Sequence, residues 1–316
     1  MLVAPVAVMS QLNLLLSFHC KKSSATLSII MGSAKLDSCA SLAKCKESVV
    51  SDSPLSSGDF SGRYDFNLMD EIQKYAIVAS IIARDNNFDI IHAHDWLAYP
   101  AGIAAMEASG KPLVIHVHAT DFDRSIGNVN PDVYNIEKCG MDAAAKIITV
   151  SNLTRDIVIN KYHIDPAKVE TVYNAVEPID ISERINMKKG FDEKVITFLG
   201  RITLQKGPEY FIEAAYKVLK VMNNARFVMA GTGDMMERMI RRAASLRITD
   251  RFHFTGFLRG NDVFTMLAMS DVYIMPSVSE PFGISPLEAM QSNVPVIISK
   301  QSGVSEILTH AVKVDF

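Results

Sequence analysis

The sequence has few cysteines, almost no excess of charge and no uninterrupted apolar run long enough to cross a membrane. Its four cysteines include no C-x-x-C pair and therefore supply neither a zinc ligand set nor a disulfide framework. Lys and Arg total 32 against 35 Asp and Glu, and the net charge of −3 excludes nucleic-acid binding driven by overall positive charge. These absences predict a globular cytoplasmic chain of about two domains.

The first 18 residues are rich in apolar side chains, but polar residues and a proline interrupt them. A membrane span needs roughly 20 mostly apolar residues. A signal peptide carries its basic residues before the apolar stretch, whereas Lys21 and Lys22 follow it here. We therefore expect neither, and residues 1–63 are predicted to be an irregular segment with one strand at Thr26–Met31.

From residue 64 onward, short apolar runs alternate with helical patterns, beginning with a helix from Asn67. The alternation pauses at 177–194, a predicted linker between domains at 64–176 and 195–316. Strands separated by helices predict an α/β fold with two doubly wound parallel sheets and a ligand cleft between the domains. The predicted strands are Asp89–His92, Leu113–His118, Lys146–Val150, Val169–Val172, Val195–Leu199, Arg226–Ala230, Phe252–Thr255, Val272–Met275 and Val294–Ser299.

Two cations flank the turn that follows the predicted strand Val195–Leu199. Arg201 comes directly after the strand, and Lys206 precedes Gly207, where a helix is predicted to begin. Cations beside a helix N-terminus suit a diphosphate, because the unpaired N–H groups and the helix dipole add to their charge. A solvated Arg and Lys on a surface loop is the alternative interpretation.

Two carboxylates stand in the segment Ser279-Glu-Pro-Phe-Gly-Ile-Ser-Pro-Leu-Glu288. Glu280 lies in a predicted loop, and Glu288 lies in the first turns of a helix predicted to start near Ser285. A carboxylate can accept hydrogen bonds from two vicinal sugar hydroxyls, which makes a sugar a suitable ligand. The alternative is a loop glutamate together with a glutamate that the helix dipole favours.

Gly231 and Gly233 follow another predicted strand. Such glycines allow backbone to approach a ligand closely, or they serve only the turn. Met236 occupies the place of the third glycine of a dinucleotide fingerprint, which disfavours a dehydrogenase.

Four histidines are predicted on two neighbouring strands. His92 and His94 share one face of the first strand, and His116 and His118 share one face of the second. Two such pairs could suggest a metal. However, no cysteine or clear carboxylate completes a ligand set, and Asp121-Phe-Asp123 follows His118 instead of opening a nucleotide site. We expect His92 and His116 to be packed histidines and predict no metal site.

A basic run is the candidate for peripheral contact with an anionic membrane. At helical spacing, the same run is also typical of a solvated helix face. Its members are Arg238, Arg241, Arg242, Arg247 and Arg251.

Several short motifs occur in a characteristic order between Tyr64 and Phe316. They are His92-Ala-His-Asp-Trp96, Val114-Ile-His-Val-His-Ala-Thr-Asp121, Val150-Ser151, Val172-Tyr-Asn-Ala-Val176, Gly200-Arg-x4-Lys-Gly207, Ala230-Gly-x-Gly233, Phe254-Thr-Gly-Phe257 and Glu280-x7-Glu288. Together they resemble the retaining nucleotide-sugar glycosyltransferases of glycosyltransferase family 4, in particular the glycogen-synthase-like members. The resemblance implies the GT-B fold, two Rossmann-like domains around a cleft, with the donor bound mainly by the second.

The resemblance also implies roles in binding the donor. Arg201 and Lys206 would neutralise the leaving diphosphate, Glu288 would hold the ribose hydroxyls, and Glu280 would lie near the transferred sugar. The backbone at Phe257–Leu258 would meet the base, and the N–H groups of residues 282–284 would contact the sugar or a phosphate. These residues and two glycines complete the implied donor-binding set. They are Gly231, Gly233, Phe257, Leu258, Phe282, Gly283 and Ile284.

On the first domain, the resemblance implies that His118 contacts the sugar beside the reacting carbon and that Asp95 and Asp121 face the acceptor. The implied substrates are a UDP-, ADP- or GDP-linked sugar, with glucose expected, and a glycan acceptor. Transfer is expected to retain the anomeric configuration and to require no cofactor or divalent metal.

The chain lacks the glycine-rich loop with which family members begin, and it stops at Phe316 where they continue into closing helices. Two functions are therefore expected: an active enzyme that builds a glucan or another polysaccharide, or a truncated, non-catalytic remnant that binds nucleotide sugar or carbohydrate. A sugar-nucleotide epimerase of related two-domain fold is a third candidate function. It is disfavoured because it offers no role for the His92–Trp96 segment. A two-carboxylate glycoside hydrolase is disfavoured because Glu280 and Glu288 both lie close to a helix start with cations nearby.

Overall fold

The computed structural model describes residues 14–21, 24–31, 68–178 and 189–315. The chain divides into two compact units. The first unit contains most of the chain up to Val172, and the second contains everything from Tyr173 onward, together with Asp123–Ile126 and Ser151–Leu153. The predicted boundary at residue 63 and most of the predicted linker at 177–194 fall outside the described residues.

The first unit is built on a six-stranded sheet whose strands follow chain order from β1 to β6. Strands β2 to β6 are parallel, whereas β1 is antiparallel to β2. The strands are β1 (Leu14–Lys21), β2 (Ser24–Met31), β3 (Ile90–His94), β4 (Leu113–Val117), β5 (Lys146–Thr149) and β6 (Val169–Thr171).

The antiparallel β1 corrects the expectation of an irregular segment at 1–63 and of a wholly parallel sheet. Only two residues separate Lys21 from Ser24, which are paired in the ladder. A connection of that length allows a hairpin, whereas parallel strands need a crossover of about a dozen residues or more. The strand at Thr26–Met31 is confirmed and extends to Ser24.

Five helices accompany this sheet, and α1 begins at Leu68 as the apolar period from Asn67 predicts. Its buried residues recur at helical spacing and include Ile72, Tyr75 and Ala79. The helices are α1 (Leu68–Asp85), α2 (Tyr99–Ser109), α3 (Asp121–Arg124), α4 (Pro131–Ala143) and α5 (Asn152–Tyr162).

The second unit contains a six-stranded parallel sheet in the order β12-β11-β10-β7-β8-β9. From β7 the chain winds outward through β8 and β9, and from β10 it winds the other way, so the order reverses between β7 and β10. This is the doubly wound arrangement that the sequence predicts. The strands are β7 (Lys194–Leu199), β8 (Ala225–Ala230), β9 (Phe252–Gly256), β10 (Val272–Met275), β11 (Val296–Ser299) and β12 (Val312–Val314).

Aromatic packing fixes β7 and β8 against the first helix of this unit. The ring of Phe211 lies 5.7 Å from the rings of Phe198 and Phe227 and 5.8 Å from that of Phe252. Such tilted and edge-on pairs stabilise a core beyond the area that they bury. The helices are α6 (Pro208–Leu219), α7 (Met236–Ser245), α8 (Asn261–Ala268) and α9 (Ser285–Gln291).

All ten predicted strands are present, with Val272–Met275 matching the prediction at both ends and the others differing by one or two residues at an end. The strands β1 and β12 were not predicted. No helix in the described part of the chain has the length and apolar character needed to cross a membrane.

Candidate functional site

A cavity of about 290 Å³ lies in the second unit where β7 and β10 end. These are the two neighbouring strands at which the strand order reverses, and open α/β sheets bind ligands at the carboxyl ends of strands at such a point. The lining residues include the four charged residues that the sequence analysis assigns to the donor site. They are Phe198, Leu199, Gly200, Arg201, Lys206, Met275, Ser277, Glu280, Ile284, Ser285 and Glu288.

The loop after β7 brings Arg201 and Lys206 to the same cavity, as the sequence predicts. A single 3-10 turn at Leu204–Lys206 reverses the chain, and α6 then begins at Pro208, one residue later than expected. Gly207 joins them with a φ of +63°, and a Cβ there would lie 2.1 Å from the carbonyl oxygen of Pro276. Only glycine fits this position, so the loop is held tightly against the residue that follows β10.

The two cations differ in their surroundings. Arg201 is exposed and forms no ion pair with the residues that the structure describes, whereas Lys206 forms a salt bridge with Glu280. Arg201 is therefore available to an anionic ligand, and Lys206 is held in place by a carboxylate.

Glu280 is buried, with 6% of its surface exposed. Its carboxylate accepts hydrogen bonds from Lys206 and, at 3.2 Å, from the hydroxyl of Ser277. Its backbone N–H donates to the carbonyl oxygen of Gln301, and its carbonyl oxygen accepts from the N–H of Gly303, each at 2.9 Å. The resemblance gives Lys206 a role at the diphosphate and Glu280 a role near the sugar, and the structure joins the two side chains in a salt bridge that the sequence analysis did not predict.

Glu288 lies in the first turn of α9, which begins at Ser285 as predicted. Its side chain is half-buried, and burial raises the pKa of its carboxyl group. No hydrogen bond to its carboxylate comes from the described residues, so both oxygens can accept from a ligand.

Tyr273 is a site residue that the sequence analysis missed. It is fully buried on β10, and its hydroxyl donates to Ser285 Oγ at 2.7 Å, with the carbonyl oxygen of Leu199 at 3.3 Å. Burial and, after it, the negative charges of Glu280 and Glu288 raise the pKa of Tyr273. It ties β7 to the start of α9 beneath the cavity. An apolar strand pattern carries no signal for this role.

Three consecutive backbone N–H groups before α9 form no hydrogen bond to any described residue. They belong to Phe282, Gly283 and Ile284, and the side chain of Phe282 is buried, which fixes the segment. The N–H groups at a helix start attract anions and polar oxygens. These groups are therefore suitable donors to a sugar or a phosphate, as the resemblance implies.

The structure explains Gly231 and Gly233 by close packing of the backbone. A Cβ on Gly231 would lie 1.9 Å from the carbonyl oxygen of Gly200, and one on Gly233 would lie 2.2 Å from that of Ile202. Neither glycine lines the cavity. Both instead support the loop that carries Arg201, and the direct donor contact implied for them stays a prediction.

Phe257 and Leu258 follow β9 at the same edge of the sheet but do not line the cavity. The ring of Phe257 is 64% exposed, which is unusual for a large apolar side chain. An exposed ring beside a binding edge suits stacking against a flat ligand. Base contact at these residues stays a prediction.

In the first unit, Asp95 positions the backbone at His118. Asp95 has a φ of +60°, and its Oδ1 accepts hydrogen bonds from the N–H groups of His118 at 2.9 Å and Ala119 at 3.3 Å. Asp121 is buried, and its Oδ2 accepts from the N–H of Asn130 at 2.7 Å. Both carboxylates hold loops of their own unit, and the acceptor contact implied for them stays a prediction.

We expect Asp95→Ala to lower the free energy of unfolding by about 1–3 kcal/mol, because it removes the acceptor of two backbone N–H groups. Asp95→Asn keeps an acceptor oxygen and should cost less. Urea denaturation of both variants measures the difference, and equal losses would show that the hydrogen bonds to Asp95 do not stabilise the loop.

The four predicted histidines do come together in the first unit. His92 stacks on His116 with 5.4 Å between ring centres, and His116 stacks on His118 at 4.2 Å. Nδ1 of His94 lies 3.0 Å from Nε2 of His118 in a hydrogen bond. Burial, followed by the neighbouring imidazoles, lowers the pKa of His94 and of His116 to about 3. These two rings are therefore neutral at pH 7.

The low pKa values predict that acid destabilises the protein. Between about pH 6.5 and pH 3 the unfolded chain binds protons at His94 and His116 that the folded chain does not, so stability is present above this range and lost as the pH falls through it. Thermal unfolding of His94→Gln/His116→Gln should depend less on pH in this window than wild type. The exposed-residue control His253→Gln should match wild type. Identical slopes in all three proteins would contradict this assignment.

The basic run is largely paired within the second unit. Arg238 bonds to Glu209 at 2.6 Å, Arg242 bonds to Glu213 at 2.5 Å, and Arg241 pairs with Glu237. These pairs are typical of a solvated face. Membrane contact through this run stays a prediction.

Two family models match successive parts of the chain. Residues 67–179 match Glycosyltransferase Family 4, and residues 181–314 match Glycosyl transferases group 1. The order of the matches agrees with the two units, and the second match contains the whole cavity. The chain therefore belongs to these glycosyltransferase families, and its two α/β units are those of the GT-B class.

Curated relatives agree with this class. An uncharacterized glycosyltransferase of Methanocaldococcus jannaschii is 34% identical over 240 residues, which is 72% of this chain and 61% of the relative. A glycogen synthase of Mycobacterium tuberculosis is 25% identical over 222 residues, covering 69% of this chain and 53% of the relative. The chain thus spans about three fifths or less of the length of these two relatives. This chain thus belongs to glycosyltransferase family 4.

Solved structures share the fold. Anabaena HepE in complex with UDP-glucose has a TM-score of 0.64 at 19% identity, covering 78% of this chain and 68% of that one. Sucrose-phosphate synthase from Thermosynechococcus elongatus has a TM-score of 0.67 at 17% identity, covering 78% and 66%.

Proposed function

We propose that this chain transfers a sugar from a nucleotide diphosphate donor to a glycan acceptor with retention of anomeric configuration. The observation that carries the proposal is the meeting of Arg201, Lys206, Glu280 and Glu288 in one cavity where the strand order reverses. Glucose is the proposed sugar. Glycogen synthase among the relatives and the HepE complex with UDP-glucose among the structures support that choice.

The two cations account for the acceleration of the reaction. As the bond to the sugar breaks, negative charge grows on the departing diphosphate and positive charge grows on the sugar carbon. Arg201 and Lys206 bind the diphosphate more tightly as that charge develops, so they lower the barrier and do more than hold the substrate. The salt bridge from Glu280 uses one of the three N–H donors of Lys206 and leaves the others for the diphosphate.

The neutral parts of the donor have their own partners in the proposal. Glu288 accepts hydrogen bonds from the two ribose hydroxyls, since its oxygens have no partner among the described residues. The N–H groups of Phe282, Gly283 and Ile284 donate to the sugar or a phosphate oxygen. The backbone at Phe257–Leu258 meets the base, and Glu280 lies next to the transferred sugar.

In the first unit, His118 contacts the sugar beside the reacting carbon, and Asp95 and Asp121 serve the acceptor side. Asp95 does so through the backbone of His118, which its carboxylate holds. In this proposal the departing phosphate assists the incoming hydroxyl, so the transfer itself uses no metal ion and no organic cofactor.

Proton NMR of the reaction tests the proposal. The chain is incubated in turn with α-linked UDP-, ADP- and GDP-glucose and a short α-glucan, and the anomeric signals of the first product are followed. We expect one donor to release its nucleoside diphosphate and to form an α-linked product. A β-linked product would overturn retention, and no reaction with a donor that binds would overturn the transferase proposal for this chain.

That last result would favour the second candidate function, a protein that binds nucleotide sugar without turning it over. The specific observation in its favour is that the second unit alone supplies every residue lining the cavity. Binding therefore needs no group from the first unit, whereas the proposed transfer needs His118. Binding with turnover supports the enzyme, and binding without turnover supports the non-catalytic binding protein.

A further inference from the structure

Four histidines form a ladder on one face of the sheet in the first unit, independent of the proposed donor cavity. Strands β3 and β4 are parallel neighbours, and the register places His94 directly beside His116. Because alternate residues of a strand share a face, His92 and His94 project from β3 on the same side as His116 from β4. His118 follows immediately after β4.

Three of these rings present nitrogen atoms to a common point. One ring nitrogen each from His92, His94 and His116 lies within 4.8 Å of the other two. The ring centres of His94 and His116 are 5.1 Å apart, and those of His92 and His94 are 4.2 Å apart. No other group of three histidine, cysteine or carboxylate ligands comes as close together in the described residues.

The buried nitrogens of this ladder have no hydrogen-bond partner among the described residues. Nε2 of His92 and both Nδ1 and Nε2 of His116 are inaccessible to water and form no hydrogen bond with that part of the chain. A buried polar atom left unpaired costs free energy, and native proteins keep few of them. An electron-pair acceptor at the centre of the three rings would bind one of these nitrogens on His92 and one on His116.

The hydrogen bond from His94 to His118 supports the same arrangement. In the tautomer in which Nδ1 of His94 donates to Nε2 of His118, the lone pair on Nε2 of His94 is left free to bind. Ligand histidines commonly donate their second N–H to a neighbouring acceptor, which fixes the ring and raises its basicity. His118 is thus suited to an outer-shell role.

We propose that His92, His94 and His116 bind a late first-row divalent metal ion, with Zn²⁺ as the probe. Neutral imidazoles favour Zn²⁺, Ni²⁺ and Cu²⁺ over Mg²⁺ or Ca²⁺, which prefer oxygen ligands. Three protein ligands leave a fourth position to water or an anion. This proposal differs from the expectation of packed histidines. It shares His118 with the proposed sugar transfer, but none of the three metal ligands has a role in that transfer.

The rings need only a small adjustment to reach binding geometry. Zn–N bonds of 2.0–2.1 Å in a tetrahedral site place ligand nitrogens ~3.3 Å apart. The nitrogens here lie within 4.8 Å of one another, so side-chain rotations must bring them together by at most about 1.5 Å. The half-buried positions of the three rings on the face of the sheet allow such rotations without changing the strands.

Calorimetric titration with ZnCl₂ tests the site on the whole chain, purified without a polyhistidine tag and treated with EDTA before dialysis. We expect one Zn²⁺ per chain. Loss of an outer-shell partner typically lowers metal affinity by about tenfold or more, and His116→Gln, which removes a ligand, should lower it further. His253→Gln, an exposed histidine on β9, is the matched control and should bind as wild type does. No binding by wild type, or equal affinity in all three proteins, would overturn the proposal.

A second measurement needs no substitution, in case His116→Gln does not fold. In wild type with ¹⁵N-labelled histidine, one equivalent of Zn²⁺ should change the ring nitrogen shifts of three histidines and leave the exposed ones unchanged. Co²⁺ in place of Zn²⁺ should give the visible absorption of a four-coordinate site. Shifts confined to exposed histidines would show that the buried rings only pack.

Discussion

Lys206→Ala should abolish measurable binding of the donor nucleotide and reduce kcat/KM by about 10²–10³-fold, the loss typical of removing one group that stabilises charge in a transition state. Lys206 lines the cavity with Arg201, and the tight turn at Gly207 fixes its position. Arg201 alone would then face the full charge of a diphosphate. Calorimetry and steady-state kinetics measure the two effects.

The salt bridge to Glu280 requires a control for stability. Removing Lys206 leaves a buried carboxylate with the Ser277 hydroxyl as its remaining hydrogen-bond donor from a side chain, and breaking a buried pair in this way costs about 3–5 kcal/mol. The double variant Lys206→Met/Glu280→Gln removes both charges and should recover most of that stability while binding stays lost.

Lys217→Ala, on the exposed part of α6, should leave binding unchanged. Binding by Lys206→Ala within twofold of wild type would contradict the role of Lys206. A double variant that recovers both stability and binding would show that Lys206 only neutralises Glu280.

Gly231→Ala should destabilise the second unit severely, by about 3 kcal/mol or more, and should also abolish nucleotide binding. The new Cβ would lie 1.9 Å from the carbonyl oxygen of Gly200, and the backbone there has a φ of +136°. The loop bearing Arg201 must move to relieve this contact, although its backbone is held by a hydrogen bond from Gly200 N–H to Ala230. Thermal unfolding and calorimetry on the same sample test both parts.

Gly256→Ala separates the steric contact from the backbone conformation. Gly256 also has a positive φ, +73°, but nothing lies within 4 Å of the position of its Cβ. Its replacement by alanine should lower the free energy of unfolding only by the cost of placing an alanine in the left-handed region, about 1–2 kcal/mol. If Gly231→Ala proved no worse than Gly256→Ala, close packing against Gly200 would not explain the glycine.

Much of the second unit could be predicted from local patterns. The strand Val272–Met275 and the helix start at Ser285 follow from short apolar runs and from the residues that bound them. The convergence of Arg201 and Lys206 was also predictable, because a strand end and a following turn fix both within six residues.

Contacts between distant parts of the chain could not be predicted in this way. Lys206 and Glu280 are separated by 74 residues, and nothing in either segment identifies the other as its partner. The buried Tyr273 hydroxyl and the hydrogen bonds from Asp95 to the backbone at His118 depend likewise on how neighbouring strands end. The reversal of strand order between β7 and β10 was implied by the doubly wound prediction but could not be located from the sequence.

The glycines show where a local pattern was ambiguous. Gly-x-Gly after a strand is compatible with a close ligand or with close backbone, and the distances at Gly231 and Gly233 favour the backbone. The histidines show the same limit. Alternation on two strands predicted a shared face, but not that buried ring nitrogens would have no partner among the described residues.

The most direct test of the central claim, a donor site at the reversal point of the second sheet, is calorimetric titration of the whole chain with UDP, ADP and GDP. We expect one-to-one binding of one nucleotide in the micromolar range, about −8 kcal/mol, which Lys206→Ala abolishes and Lys217→Ala leaves intact. A folded wild-type protein that binds none of the three, or binds one equally well without Lys206, would contradict a donor site at this position.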